Sequence, residues 1–107
     1  MNFGKMIAAG MLILTSNIAL AVDGFDEGLR YYMSGKPNVA LSLWRPLAES
    51  GHSNAQFHLG HLYSNGDGVT KNNVEALKWY QQAAAQGHQT ADYRIRVIKM
   101  EMKILHE

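Results

Sequence analysis

The residues best placed to do chemistry in this sequence are histidines, with His52, His58, His61 and His88 gathered in its central stretch. His58 and His61 stand three apart, which puts both imidazoles on one side of the chain if the segment is helical. A zinc ion needs donors about 2.0 to 2.1 Å away, converging from more than one element. No Asp or Glu close in sequence completes a set with that pair. His52 and His88 hold equivalent places in two similar segments, and packed helices lie about 8 to 10 Å apart, so they cannot share an ion. We therefore expect no metal and no cofactor, with the histidines exposed or capping turns.

Nucleophilic and acid–base chemistry find no better footing. No serine stands in a nucleophile-elbow sequence, and no spacing brings a Ser, a His and a carboxylate together. The chain has no cysteine, which excludes a disulfide framework, a thiolate metal site and a thiol nucleophile. The segment Asn65-Gly66-Asp67-Gly68-Val69 is glycine-rich but lacks the lysine and the preceding strand of a phosphate loop, and reads as a turn. Recognition is the activity these residue types suit, and catalysis is not expected.

The elements that must position these side chains follow from an internal repeat. Gly51 and Gly87 stand 36 positions apart, and Ala40/Ala76, Leu41/Leu77, Trp44/Tyr80, Ala48/Ala84 and His52/His88 keep that offset. A period of this length indicates stacked helical pairs. Ala55, Leu59, Leu62 and Tyr63 follow helical spacing over 53–65, with Ser53 and Gln56 reading as a capping box at the start. Gly66 and Gly68 turn the chain, Asn72 and Glu75 repeat the capping pattern, and Ala76, Leu77, Tyr80, Ala83 and Ala84 give the next apolar face.

Upstream, Phe25, Gly28, Leu29, Tyr31 and Tyr32 read as the first helix of an earlier unit. Gly28 matches Gly60, and Tyr31 matches Tyr63, at an offset of 32 because the intervening turn is four residues shorter. Pro37 suits the first turn of the following helix, whereas Pro46 falls inside it, removes a bond to Ser42 and predicts a kink. Downstream, Ala91, Ile95, Ile98, Met102 and Leu105 form a stripe expected to pack on the preceding helix. Tyr93, Val97, Met100 and Ile104 form a second stripe on nearly the opposite side.

The start of the chain reads as a leader. Lys5 precedes the apolar run Met6 to Ile18, and Ala19-Leu20-Ala21 has the small-x-small form of a cleavage site. The run is shorter than the about 20 residues of a spanning helix. Cleavage after Ala21 would leave nine basic against nine acidic residues, because Lys5 is the one charged residue removed. That balance points to neither nucleic acid nor an anionic membrane as partner. The expectation is a periplasmic or secreted chain with no stable membrane span once the signal is removed.

The string Ala55-x-x-x-Leu59-Gly60-x-x-Tyr63, then Gly66-x-Gly68-Val69, then Ala76-x-x-Trp79-Tyr80-x-x-Ala83-Ala84-x-Gln86-Gly87 resembles the Sel1-like repeat, a relative of the tetratricopeptide repeat. The resemblance implies an all-α fold, a short right-handed α-solenoid of about two and a half helix pairs. Its parts would be a signal peptide over 1–21 and a repeat domain over 22–107. That domain divides into a first unit (22–52), a full repeat (53–88) and a terminal helix (89–107). It departs from the pattern at Ile95-Arg96, where the family has Leu-Gly.

In that family the first helices of successive pairs line a concave groove that receives a protein or peptide partner. Carried over, the groove would comprise Asp26, Leu29, Tyr32 and Met33, then Asn54, Phe57, His58, His61, Ser64 and Asn65. Thr90, Tyr93, Arg94 and Val97 hold the matching positions on the terminal helix. The second stripe, Tyr93, Val97, Met100 and Ile104, reads as a docking face open to a partner or to a homodimer. The resulting expectation is a non-enzymatic adaptor of the cell envelope. A competing class implied by the resemblance is a binder of a small ligand, a cell-wall fragment or β-lactam, or a weak hydrolase, in which Tyr32, Phe57 and His61 would meet a sugar.

Overall fold

The computed structural model describes residues 24–106, so the expected leader lies outside the described residues. These residues form five helices and, among them, no strand. We label them α1 (24–33), α2 (Pro37–Glu49), α3 (Ser53–Asn65), α4 (Asn73–Ala85) and α5 (Gln89–His106). Each helix from α2 onward packs on the next, which makes an all-α solenoid. None of the described helices is long and apolar enough to cross a membrane.

The helix ends repeat as the residue types do. Gly51 (φ 98°) and Gly87 (φ 91°) take the left-handed backbone that a side chain resists. Each allows a pair of closing bonds: Gly51 N–H to Ala48 O and His52 N–H to Leu47 O, both 3.0 Å, and Gly87 N–H to Ala84 O (2.9 Å) and His88 N–H to Ala83 O (3.2 Å). This is the Schellman arrangement, which satisfies carbonyls left over at the helix end. Pro37 occupies the first turn of α2. Pro46 costs α2 its bond to Ser42, yet the helix runs on to Glu49; both residues are exposed, so solvent can take the freed carbonyl.

The expected capping box at Ser53 and Gln56 is overturned. Its place is taken by His52, whose Nδ1 accepts the Ala55 N–H at 3.1 Å. Gln56 turns inward instead, 3 % exposed, and donates to Ala48 O at 3.1 Å while accepting from Gln86 Nε2 at 2.8 Å. Gln86 also donates to Gly51 O at 3.0 Å, so the two amides tie the start of α3 to the end of α4. At α4, Asn72 Oδ1 caps Glu75 N–H at 3.1 Å, while the Asn72 N–H goes back to Tyr63 O at 2.9 Å.

The core alternates small and large side chains, Ala40, Ala48, Ala55, Ala76, Ala83 and Ala91 against Trp44, Leu59, Leu62, Tyr63, Trp79, Tyr80 and Ile98. Two glycines set how close the paired helices come. A Cβ on Gly60 would fall 2.8 Å from the Tyr80 ring, and one on Gly28 2.7 Å from Cε2 of Trp44. Trp44 also donates its indole N–H to Phe25 O at 3.1 Å. In each pair, the glycine of the first helix lies under the aromatic ring of the second.

On α5 the first stripe holds only in part. Ala91 and Ile98 are buried, Ile95 and Met102 pack at the edge of the core, and Leu105 is 79 % exposed. The reason is length: at 1.5 Å per residue an 18-residue α5 outruns a 13-residue α4 by more than a turn. The Gly60→Ala substitution tests the close approach. Overpacking against Tyr80 should outweigh the gain in helix propensity and cost about 1–2 kcal/mol by urea unfolding. Gly24→Ala, whose Cβ would sit 3.6 Å from Leu47 Cδ1, should be neutral or stabilising.

Candidate interaction surface

The odd-numbered helices carry the candidate site, and their aromatic and imidazole rings form a ladder between units. Phe25 of α1 stacks on His52 (centroids 5.0 Å, 28°), and Phe57 of α3 stacks on His88 (4.5 Å, 17°). Both histidines are helix caps, with His88 Nδ1 accepting the Ala91 N–H at 3.2 Å as His52 does for Ala55. An accepting Nδ1 carries no proton, which leaves the hydrogen on Nε2. One histidine in each unit thus caps a helix and stacks on the preceding first helix. The expectation of capping histidines holds at His52 and His88.

His58 departs from it. Its ring lies 5.0 Å from Trp44, 5.5 Å from Phe25 and 5.4 Å from Phe57, so it fills space between aromatics rather than facing solvent or a turn. Burial, with smaller contributions from the imidazoles of His61 and His88, lowers its pKa from 6.5 to about 4. His61 sits nearer the surface. Burial and the nearby Arg94 guanidinium lower its pKa, with Asp67 opposing them.

Around His61 the structure brings together several of the expected groove residues. His61 Nε2 lies 3.3 Å from Tyr32 Oη, and the Asn65 amide is 3.0 Å from the same nitrogen. Ser64 donates to His61 O at 3.1 Å and approaches Tyr80 Oη at 3.4 Å. A notch of about 100 Å³ continues from there to α5, lined by Ser64, Asn65, Lys71 and Arg94 among others. Asp26, Met33, Asn54, Asn65 and Arg94 are exposed, whereas Leu29, Phe57 and Tyr32 partly pack against the core. Among the described residues no group of three or more His, Asp or Glu could hold a metal.

The Sel1 repeat family model matches residues 53–88. A crystal structure of a Sel1 repeat protein from Oxalobacter formigenes superposes with a TM-score of 0.72 at 30% identity, covering 88% of this chain and 41% of that one. The chain is a Sel1-like repeat protein. It is also similar to an exopolysaccharide production negative regulator of Rhizobium leguminosarum bv. viciae, 38% identical over 65 residues, or 61% of this chain and 24% of that protein. The mouse DAP3-binding cell death enhancer 1 is 47% identical over 51 residues, 48% of this chain and 10% of that one. The chain thus spans a quarter or less of the length of these curated relatives.

Within this Sel1-like chain, sequence reasoning missed the Gln56–Gln86 amide pair and the double role of His52 and His88. The 36-residue offset of His52 and His88 was the available signal for the second, since each directly follows a helix-ending glycine. Two measurements check the ladder. The His88→Ala variant should lose about 1 kcal/mol of stability in urea, with part restored by His88→Asn, which can cap but not stack.

For His58 the sign follows from proton uptake. The unfolded ring takes a proton near pH 6.5 and the folded one near 4, so unfolding gains a proton between those values. The contribution is complete above pH 6.5 and is lost as pH falls toward 4. After solvent screening at a partly exposed ring, stability should drop by about 1–2 kcal/mol from pH 7 to pH 5. In His58→Gln that slope should flatten.

Proposed function

We propose that this chain is a non-enzymatic adaptor of the bacterial cell envelope that holds a protein or extended peptide on the face of α1, α3 and α5. Sel1 repeats generally mediate protein–protein interaction, and one relative is named for binding DAP3, another as a regulator. The leader-like stretch over 1–21 supports the envelope as its place.

The observation that carries the reading is the polar line Tyr32–His61–Asn65 with Arg94 beside it, flanked by the exposed Met33 and Asn54. This is an open row of donors and acceptors across several helices, fitted to a chain rather than to a compact molecule. The notch at its end, at about 100 Å³, is well below the roughly 300 Å³ of a small-ligand pocket, which favours a macromolecular partner over a cell-wall fragment or β-lactam. A second copy of the chain on the Tyr93, Val97, Met100 and Ile104 face of α5 is the other partner this reading includes.

Affinity purification from the envelope fraction, with the full chain as bait, tests the proposal. A specific protein should co-purify, and Arg94→Glu or Met33→Asp, both at exposed positions, should weaken its capture about tenfold or more while the thermal midpoint stays unchanged. Saturable stabilisation by a muropeptide or β-lactam, lost in His61→Ala, together with no captured protein, would overturn the adaptor reading in favour of the small-ligand one.

A further inference from the structure

Tyr93, Val97, Met100 and Ile104 follow one another at steps of four, three and four residues, the spacing of a two-heptad seam. Three of them are exposed by 59 %, 65 % and 67 % (Tyr93, Met100 and Ile104), and with Arg96 and Glu101 they line an apolar depression of about 530 Å³. At 100° per residue this seam points roughly 160° away from the stripe of Ala91, Ile95, Ile98 and Met102 that packs on α4. A helix laid on the seam therefore lies away from the stripe that packs on α4, and borders the rest of the chain at Lys71 and Asn73 beside Glu101 and Ile104, and at Ser64 and Asn65 beside Val97.

The repeat itself shows that this seam is not a vacant place for another second helix. Applying the 36-residue offset puts Arg96 where α3 has Gly60, the residue that lets Tyr80 sit against the backbone. Arg96 carries a side chain there, 70 % exposed and 3.4 Å from Asp92, so a ring cannot close on α5 as Tyr80 closes on α3. The residues beside the seam are instead those of a coiled coil, with Arg96 and Lys103 on one flank and Arg94 and Glu101 on the other.

From this geometry we infer that α5 pairs in parallel with α5 of a second copy, forming a two-fold dimer with the two solenoids pointing away from each other. In parallel register the Arg96 flank of one copy meets Glu101 of the other, twice, and no like charges face each other. Antiparallel pairing would set Arg96 against Lys103 twice, offsetting the attraction of Arg94 for Glu101. A seam of two heptads buries less than the about 800 Å² per partner of a standard stable complex, so the dimer is a weak one, with a Kd in the micromolar range. This inference rests on the second-copy part of the proposed function and deepens it by fixing the register; it does not depend on the polar line around His61.

Sedimentation equilibrium on the full chain, purified in the form the cell yields, should show a dimer whose fraction rises between about 5 and 500 µM. Ile104→Glu, at an exposed position, should abolish it with an unchanged circular dichroism spectrum. Arg96→Glu should weaken it about tenfold, and the swap Arg96→Glu with Glu101→Arg should restore it. Because the chain has no cysteine, Val97→Cys should form a single symmetric disulfide under mild oxidation, which only the parallel register allows. A monomer up to about 1 mM, a dimer indifferent to Ile104→Glu, tightening by Arg96→Glu, or no Val97→Cys crosslink would each overturn the inference. Met33→Asp, the groove variant on α1, should leave all these readouts unmoved.

Discussion

Two glycine–aromatic contacts govern this molecule. Gly28 lies against Trp44 and Gly60 against Tyr80, each so closely that one added carbon would overlap the ring. The approach lets flat rings seal the space between paired helices, and alanines on the neighbouring faces keep the helices near enough for that space to be dry. The turns are subordinate to it. Gly68 lies against the start of α2, where its own Cβ would stand 2.7 Å from Pro37 C, so the longer turn of the second unit is held against the first. Where the glycine is replaced, at Arg96, the pairing rule ends and α5 carries a different kind of face.

Between units the joint is made by rings and caps. His52 and His88 each spend one nitrogen on a backbone N–H and one face on a phenylalanine of the preceding first helix. A single residue thus sets the start of a helix and its angle to the last one. That economy consumes most of the imidazoles. His58 is absorbed among Phe25, Trp44 and Phe57, while the half-buried His61 stands with Tyr32 and Asn65 at the edge of the candidate surface. The candidate surface is what the scaffold has not used.

Much of this is legible in the residues because the repeat reports twice on each position. The period, the glycines that end α2 and α4, Pro37 at a helix start and the aromatic–alanine alternation all follow from local rules with strict spacing. The candidate groove is legible as a stripe but not as a surface. Leu29 and Phe57 share that stripe with Met33 and Asn54, yet the first two pack on the core and the last two face solvent. Helical periodicity assigns a direction, and it is the neighbouring helix that decides whether that direction is covered. Gln56 follows the same rule: its position fits a cap, but the carbonyl of Ala48 and the amide of Gln86 lie within reach once α2 and α4 are in place.

The sequence by itself determined the helices, their ends and their order, because capping, glycine φ and apolar spacing act within a few residues of the chain. It also determined that the chain has no cysteine thiol. Only the tertiary structure decided which histidines are spent on packing, that Leu105 stays exposed beside the start of α4, and which polar groups of α1, α3 and α5 come together around His61. Those outcomes depend on distances between helices, set by the volume of side chains far apart in sequence. No local pattern contains that distance.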